Sequence, residues 1–183
     1  VAETDGQAVL YGGQPILAVF HSSSAGKTAA AEDVWSGELP YLKSVDSPEN
    51  EDSVPNYYSV VAFTAEEAKA KLLAARPALK LNGTPEDWLG TITENSSGRV
   101  ETLELGGETW KGTEVRSAFG LRSACFTAEA DGESLTFRVT GYGHGVGMSQ
   151  YGANQLAKKG KTWREILEWY YAGVTVGPYG GNA

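Results

Sequence analysis

The sequence predicts an α+β fold: a mostly antiparallel mixed sheet, several short helices and two closing C-terminal helices. Strand-like stretches follow one another across short turns such as Gly12-Gly13 and Asp131-Gly132, which is the pattern of antiparallel hairpins. Helical stretches are interleaved irregularly with these strands, without the regular alternation that builds a parallel sheet. With 183 residues, 41% of them hydrophobic, the chain is expected to form one domain over residues 1–183.

The first half of the chain is predicted to contain strands, an acidic loop and two capped helices. A capping box, in which a threonine and an acidic residue three positions later satisfy each other's backbone N–H groups, marks where a helix begins, as does proline in a first turn. By these signals the elements are two strands within residues 6–24, an acidic irregular loop over 49–58, a strand over 57–63, a helix from Thr64 to about residue 75, and a short helix from Thr84.

The second half is predicted to begin with a meander and to end with two helices. Glycine pairs punctuate the meander, and Gly160 and Gly173 are typical of the residue just after a helix. Apolar side chains recur at helical spacing in the last helix and are expected in the core. The elements are three strands within 91–110, a short helix over 112–119, a hairpin of 126–129 and 134–140, and helices over 149–159 and 162–171.

Composition excludes several classes of function. The chain carries 15 Lys and Arg against 23 Asp and Glu, a net charge of −8, which argues against nucleic acid because phosphates demand a basic face. No segment is long and apolar enough to span a membrane. The single cysteine, Cys125, cannot form an intrachain disulfide and is expected to be a small buried hydrophobe.

The most informative stretch is the run GYGHGVGMSQYGA, residues 141–153. Its four alternating glycines weaken both helices and strands, so they are expected where φ must be positive or where the backbone passes close to a ligand or another chain. His144, Ser149, Gln150 and Tyr151 crowd the same turn. That crowding favours a polar site over a plain connecting turn.

Three blocks of sequence carry a resemblance to a known family. They are VFHSSSAGKTAAAEDVWSGELPYLKSV (19–45), the weaker KGTEVRSAFGLRSACF (111–126), and GYGHGVGMSQYGA followed by TWREILEWYYAGVTV (162–176). The first contains an aromatic residue, His-Ser-x-Ser-x-Gly-x-Thr, Val-Trp and Pro-Tyr-Leu in the family's order and spacing. The chain thus resembles the C-terminal part of the stage II sporulation protein D and amidase-enhancer (SpoIID/LytB) family, over nearly its whole length.

The resemblance implies a peptidoglycan lytic transglycosylase. Its substrate would be glycan strands, stripped of stem peptides, cleaved between N-acetylmuramic acid and N-acetylglucosamine to leave anhydro-muramic ends. The family's glutamate, taken to be the catalytic acid, lies in a Val-x-x-Glu-Met-like block before the His-Ser segment. This chain begins downstream of that block at VAETDGQAVL, so the 183 residues are expected to lack the acid, and no catalytic residue is assigned within them.

Location, partners and a second function follow from the same resemblance. The protein is expected outside the cytoplasm, in the cell wall or anchored to the membrane facing it, with glycan strands and a cell-wall amidase or other division or sporulation wall proteins as partners. No cofactor and no metal are expected. The alternative is a noncatalytic wall-binding module that enhances an N-acetylmuramoyl-L-alanine amidase; a Val-x-x-Glu-Met motif upstream would favour the enzyme.

Residues expected to contact substrate lie in the first and last blocks. Serine and threonine hydroxyls follow an apolar strand at its C-terminal end, where they either line a cleft or cap the turn. Trp35 and Tyr41 suit stacking on sugar faces, and Lys43 is expected on the same strand face as Tyr41, reaching sugar oxygens or only solvent. The predicted substrate-binding residues are His21, Ser23, Ser24, Lys27, Thr28, Tyr41, Lys43, His144, Gln150 and Tyr151.

Other chemistries are weaker interpretations of the same residues. Ser-Ala-Gly-Lys-Thr lacks the first glycine of a phosphate-binding loop, because His21 occupies that position. His21 and His144 would supply only two ligands where catalytic zinc normally takes three from the protein. Two further alternatives remain open: a triad of Ser23, His144 and Asp46 without a nucleophile elbow, and a hydrolase acid among the loop residues Glu32, Asp33 and Glu38.

Overall fold

The computed structural model describes residues 2–35 and 37–179 and shows an α+β protein. The chain divides into two compact units: unit 1 comprises residues up to Ser53 and those from Gly145 onward, and unit 2 comprises Val54–His144. The predicted fold class is confirmed, with its strands in four small sheets among the described residues. The single domain expected over residues 1–183 stays a prediction.

The elements in chain order are a 3-10 helix Ala2–Thr4, β1 Gln7–Tyr11, β2 Gln14–Pro15, β3 Phe20–His21, α1 Ala31–Val34, β4 Tyr58–Thr64, α2 Ala65–Ala75, α3 Pro85–Trp88, β5 Leu89–Glu94, β6 Val100–Leu105, β7 Glu108–Lys111, α4 Gly112–Phe119, β8 Phe126–Ala130, β9 Ser134–Thr140, β10 Met148–Ser149, α5 Gln150–Lys158, α6 Trp163–Tyr170 and β11 Thr175–Pro178. None of the helices in the described residues has the length and apolar character needed to cross a membrane.

The first hairpin of unit 1 is shorter than the sequence predicts. β1 pairs antiparallel with β2 across the expected glycine turn and with β11 on its other edge. The second predicted strand is wrong beyond this point: β2 ends at Pro15, the Ile16 N–H still donates to the Val9 carbonyl at 3.0 Å, and the next N–H, of Leu17, donates to the Tyr41 hydroxyl at 3.2 Å. β3 is a separate strand that pairs in parallel with β10.

The core of unit 1 forms around the closing helices. Ile166 and Tyr170, four positions apart, are buried on one face of α6, as their helical spacing predicted. The Thr162/Glu165 capping box is present, and the helix ends at Tyr170, one residue earlier than expected. The buried core residues are Ala29, Ala31, Leu42, Val146, Leu156, Ile166, Tyr170, Tyr171 and Val174.

Unit 2 follows its sequence signals closely. β4, β9 and β8 form one antiparallel sheet, and β5, β6 and β7 form the predicted meander. The Thr64 capping box begins α2, and the hairpin turns at Asp131-Gly132 as expected. Phe119, Phe126 and Phe137 meet in its core at ring distances of 4.8 and 5.5 Å.

The glycines of the 141–153 run have the backbone conformation that the sequence predicts. Their φ values are +75° at Gly141, +119° at Gly143, +86° at Gly145 and +71° at Gly147. At Gly147 a Cβ atom would also overlap the backbone carbonyl of Val19, on the segment leading into β3. Gly147 therefore permits both the turn and the close approach of the two backbones that pair as β3 and β10.

Replacing Gly147 by alanine should destabilise the chain more than the same change at Gly160. Both glycines have positive φ, but a Cβ at Gly160 would meet nothing within 4 Å. We expect Gly160→Ala to lower the free energy of unfolding by about 1–2 kcal/mol and Gly147→Ala by about 2–4 kcal/mol, since only the latter adds a backbone clash. Urea unfolding followed by circular dichroism measures both; equal losses would contradict the close-approach argument.

Candidate functional site

The first of the three sequence blocks that carry the resemblance lies beside the part of the last block from Gly145 onward, in unit 1. Met148 pairs with Phe20 and Ser149 with His21 in the parallel β3–β10 ladder. The Ala29 N–H donates to the Gly145 carbonyl at 2.8 Å on one side of this ladder. These contacts join segments whose residues, such as His21 and Val146, are 125 positions apart in the chain. Polar segments from distant parts of the sequence thus lie next to each other, as is common in binding sites.

His21 and Ser24 form a hydrogen-bonded pair inside this junction. The His21 Nδ1 lies 3.2 Å from the Val146 carbonyl oxygen, which can only accept, so Nδ1 carries the proton in the neutral imidazole. Nε2 then accepts from the Ser24 hydroxyl at 2.7 Å. The arrangement resembles an activated serine, but His21 is 4% exposed and Ser24 0%. In this arrangement the Ser24 hydroxyl holds the turn after β3 and does not face solvent.

The Glu49 carboxylate is the centre of a buried polar network. Its Oε1 accepts hydrogen bonds from the Ser24 backbone N–H at 2.6 Å and the Ser149 hydroxyl at 2.5 Å. Its Oε2 accepts from the Ser47 hydroxyl at 2.5 Å. Because the Ser47 proton points to Glu49, the Tyr170 hydroxyl, 2.6 Å from Ser47 Oγ, donates to Ser47. The side chain of Glu49 therefore joins the turn after β3, the 47–49 loop, the start of α5 and the end of α6.

Two residues at the start of α5 fit this network. The Ser149 hydroxyl donates to Glu49 and accepts from the Gly152 N–H at 3.2 Å, so it also acts as the helix N-cap. A Cβ atom at Gly152 would overlap Tyr170 Oη, Ser47 Oγ and Glu49 Oε2. Only glycine lets the first turn of α5 lie directly over the network.

Burial keeps the Tyr170 hydroxyl of this network protonated. It raises the pKa of the Tyr170 hydroxyl well above its usual range, and the nearby Glu49 carboxylate raises it further, while the hydrogen bond with Ser47 acts in the opposite direction. Tyr170 thus remains a hydrogen-bond donor throughout the physiological pH range.

The sequence missed Glu49, which the prediction assigned to an acidic irregular loop. Its exposed neighbours in the loop are solvated, as expected, but Glu49 itself is only 4% exposed. The three groups that hydrogen-bond to its carboxylate come from residues as far away as Ser149. A serine two positions earlier, at Ser47, was the one local signal.

The predicted substrate-binding residues differ in burial. Four are buried in unit 1: His21, Ser23, Ser24 and Thr28. Five others in unit 1 are partly or fully exposed: Lys27, Tyr41, Lys43, Gln150 and Tyr151. The tenth, His144, is partly exposed and belongs to unit 2. The three buried hydroxyls differ in their contacts: Thr28 Oγ1 accepts from the Val45 N–H at 2.9 Å, Ser24 Oγ bonds to His21 Nε2, and Ser23 Oγ has no hydrogen-bond partner among the described residues. A role in glycan binding stays a prediction for all ten.

Lys43 is not placed as the sequence suggested. Residues 41–45 form no strand, although Tyr41 and Lys43 flank the buried Leu42. The Lys43 ammonium lies 2.6 Å from Glu38 and 3.1 Å from Glu32, and these hydrogen bonds, Glu38 first, raise its pKa. Glu32 lies in α1, whereas Glu38 and Lys43 lie in the irregular segment after it, so no helical or strand spacing in the sequence indicated this cluster.

The loop carboxylates lack the surroundings of a hydrolytic acid. A general acid needs a raised pKa. The pKa of Glu32 is lowered, first by a hydrogen bond from its own backbone N–H and then by Lys43. Glu38 is ion-paired with Lys43, and Asp33 is exposed. Of the triad alternative, Asp46 faces Lys27 at 3.8 Å, and the histidine that contacts the serine turn is His21.

Unit 2 contributes separate polar features. The Arg122 guanidinium lies 4.6 Å from the centre of the half-exposed Tyr142 ring, and the Gly143 N–H donates to the Arg122 carbonyl. Cys125 is partly buried, its thiol donates to the Gly98 carbonyl, and burial raises its pKa, so it is not a reactive thiolate. Across residues 2–35 and 37–179, no three His, Cys, Asp or Glu side chains are grouped as a metal site requires.

Comparison of the chain with known proteins identifies its relatives. The chain is 44% identical over 177 residues, 96% of its length, to stage II sporulation protein D of Bacillus subtilis strain 168. It is 41% identical over the same share to the protein of that name from Bacillus amyloliquefaciens. An amidase enhancer of Bacillus subtilis strain 168 is 26% identical over 98% of the chain. No family model matches the chain.

The chain belongs to the stage II sporulation protein D and amidase-enhancer (SpoIID/LytB) family. It spans about half the length of the curated relatives of that name: 49% of both stage II sporulation proteins. The aligned region includes the blocks on which the resemblance rests, since it covers 96% of the chain.

Replacing Glu49 by glutamine should destabilise unit 1. An amide has one acceptor oxygen where the carboxylate has two, so either Ser47 or the Ser24 and Ser149 donors lose their partner. We expect Glu49→Gln to lower the free energy of unfolding by about 2–4 kcal/mol. The exposed loop neighbour provides the control: Glu51→Gln should change it by less than about 0.5 kcal/mol. Urea unfolding of the two variants measures the difference, and equal midpoints would show that the network contributes nothing.

Proposed function

We propose that this chain binds peptidoglycan glycan strands as part of a lytic transglycosylase outside the cytoplasm. The observation that carries the proposal is the parallel pairing of β3 with β10, which brings the His-Ser-x-Ser-x-Gly-x-Thr block against GVGMSQYGA, residues 145–153. Membership of a family whose relatives are named for sporulation and for amidase enhancement supports a role at the cell wall. The substrate would be strands already stripped of stem peptides.

The proposed reaction needs one carboxylic acid and no water. The acid donates its proton to the glycosidic oxygen as the bond from muramyl C1 to that oxygen breaks, and positive charge develops at C1. The muramyl C6 hydroxyl oxygen then forms a bond to C1, and its proton returns to the carboxylate. The products are an anhydro-muramic end and a free N-acetylglucosamine hydroxyl, so atoms and charge balance.

The resemblance assigns this acid to the family's Val-x-x-Glu-Met block, and we assign to the present chain the positioning of the strand. Glu49 is a poor candidate for the acid because donors occupy both its oxygens and it is buried. Side chains with exposed surface near the junction, among them Gln150 and Tyr151, are proposed to contact sugar. The buried His21, Ser24 and Thr28 would hold the backbone beneath them.

A second function has its own support. The amidase enhancer relative is similar over 98% of the chain, so a wall-binding module that stimulates an amidase is the alternative. In that case an N-acetylmuramoyl-L-alanine amidase would be the partner. The two functions differ in whether bond cleavage accompanies binding.

The 183-residue chain alone should bind denuded sacculi without cleaving them. Co-sedimentation measures binding, and mass analysis of the supernatant measures release of anhydro-muramic products. A version extended by the family's acid block should release such products and should stop doing so when its glutamate is replaced by glutamine. Anhydro ends released by the 183 residues alone would contradict the assignment of the acid, and an inactive extended version that still binds would favour the enhancer module.

Within the chain, Gln150→Ala should weaken sacculus binding. Gln150 is exposed in the first turn of α5, next to the junction of the two blocks. Loss of a neutral hydrogen bond costs about 0.5–1.5 kcal/mol, equivalent to roughly two- to tenfold in affinity. The matched control is Gln14→Ala, an exposed glutamine on β2 that should bind like the parent. Equal binding by both variants would remove Gln150 from the proposed contact surface.

A further inference from the structure

A surface pocket of unit 1 lies outside the buried network. It has a volume of about 350 Å³ and is lined by Lys27, Ser44, Val45, Asp46 and Trp169. This volume is at the lower end of the range for small-ligand sites, about 300–1,000 Å³. Among these residues only Lys27 is expected from the sequence to contact substrate, and neither Trp169 nor Asp46 is predicted to bind sugar.

The two charged residues of the pocket are fixed by backbone pairing. Lys27 and Asp46 form an antiparallel bridge. Hydrogen bonds flank it on both sides, from the Thr28 N–H to the Val45 carbonyl and from the Ser47 N–H to the Gly26 carbonyl, each 2.9 Å long. Residues directly opposite in such a bridge project their side chains to the same face. The Lys27 ammonium and the Asp46 carboxylate accordingly lie 3.8 Å apart, both well exposed.

Trp169 supplies a fixed aromatic wall. Its indole N–H donates to the Asp46 backbone carbonyl at 2.8 Å, which sets the orientation of the ring. Its neighbour Tyr170 anchors the end of α6 in the core, yet Trp169 is 45% exposed. A large aromatic side chain held by its polar atom and open to solvent on the remaining surface is suited to stacking against a ligand.

We propose that this pocket binds one uncharged pyranose ring of a glycan, an N-acetylated amino sugar, with its C–H face against Trp169. The proposal rests on the proposed function for the choice of an N-acetylated sugar and adds a specific subsite to it. Sugar hydroxyl and acetamido groups can both donate and accept, so one ring can accept from the Lys27 ammonium and donate to the Asp46 carboxylate. A hydroxyl thereby satisfies both members of the exposed ion pair.

The charge of the pocket favours a neutral ligand over an ion. An anion would gain from Lys27 but would be repelled by Asp46, and a cation would experience the reverse. The net charge of −8 adds a repulsion for anions at long range. Trp169 with Asp46 could also receive an organic cation, which is an outcome that the experiment distinguishes.

The experiment titrates the ¹⁵N-labelled 183-residue chain with the N-acetylglucosamine tetramer and, separately, with the glucosamine tetramer. We expect the acetylated tetramer to shift the Trp169 indole N–H resonance more than that of Trp163, which lies on the same helix as Trp169 and donates its indole N–H to Glu3. Trp169→Ala should weaken binding by about tenfold or more, and Trp163→Ala should leave it unchanged. Lys27→Ala and Asp46→Ala should each weaken it by roughly two- to tenfold.

Three results would overturn the proposal. They are no binding of the acetylated tetramer by the parent chain, equal binding by parent and Trp169→Ala, and tighter binding of the cationic glucosamine tetramer, which would make this a cation site. Sacculus co-sedimentation with the same variants separates the two levels of inference. If Trp169→Ala leaves sacculus binding unaffected, the proposed function stands without this subsite. If the tetramer binds in a way that depends on Trp169 but the chain does not bind sacculi, the subsite stands and the proposed function fails.

Discussion

Unit 1 depends on the solvation of one buried carboxylate by the protein itself. Taking Glu49 out of water is costly unless hydrogen bonds replace its hydration, and the protein provides three donors: one backbone N–H and two serine hydroxyls. These donors come from the turn after β3, the 47–49 loop and the start of α5, while Tyr170 extends the chain of hydrogen bonds to α6. Because each segment satisfies part of one charge, displacing any of them leaves the carboxylate short of a partner.

Glycine makes that convergence sterically possible. Gly147 lets the chain enter β10 directly beside the Val19 carbonyl, and Gly152 lets α5 begin over Glu49, Ser47 and Tyr170. The short β3–β10 ladder has only two paired positions, Met148 with Phe20 and Ser149 with His21, and two such pairs alone would be weak. The buried network and the two close approaches hold this ladder in place, and with it the blocks that define the family.

Local signals in the sequence predicted most elements correctly. The capping boxes at Thr64 and Thr162 act between residues three positions apart, so the sequence alone contains the whole interaction. The same holds for the meander turns and for the positive φ of the alternating glycines. Periodicity at the end of the chain likewise placed Ile166 and Tyr170 in the core.

The sequence did not predict which distant segments pair with each other. The parallel partner of β3, the burial of Glu49 and the ion pairs of Lys43 all depend on where loops meet in space. Apart from Ser47 two positions earlier, nothing in the local sequence distinguishes Glu49 from a solvated acidic loop residue. The alternating glycines came nearest to a local signal for a long-range contact, because they predicted a close approach of the backbone but not which residue it would approach.

The interior network and the exterior pocket use the same two pieces of chain. Asp46 and Trp169 meet on the surface through the hydrogen bond of the indole, and the next residue of each piece, Ser47 and Tyr170, meets inside through the hydroxyl pair. One crossing of the 44–49 loop with the end of α6 thus fixes both faces. Aromatic and charged groups bind best when their positions are set before the ligand arrives, since less ordering is then needed on binding. The Glu49 network therefore holds, from inside, the two pieces of chain that carry Asp46 and Trp169 on the surface.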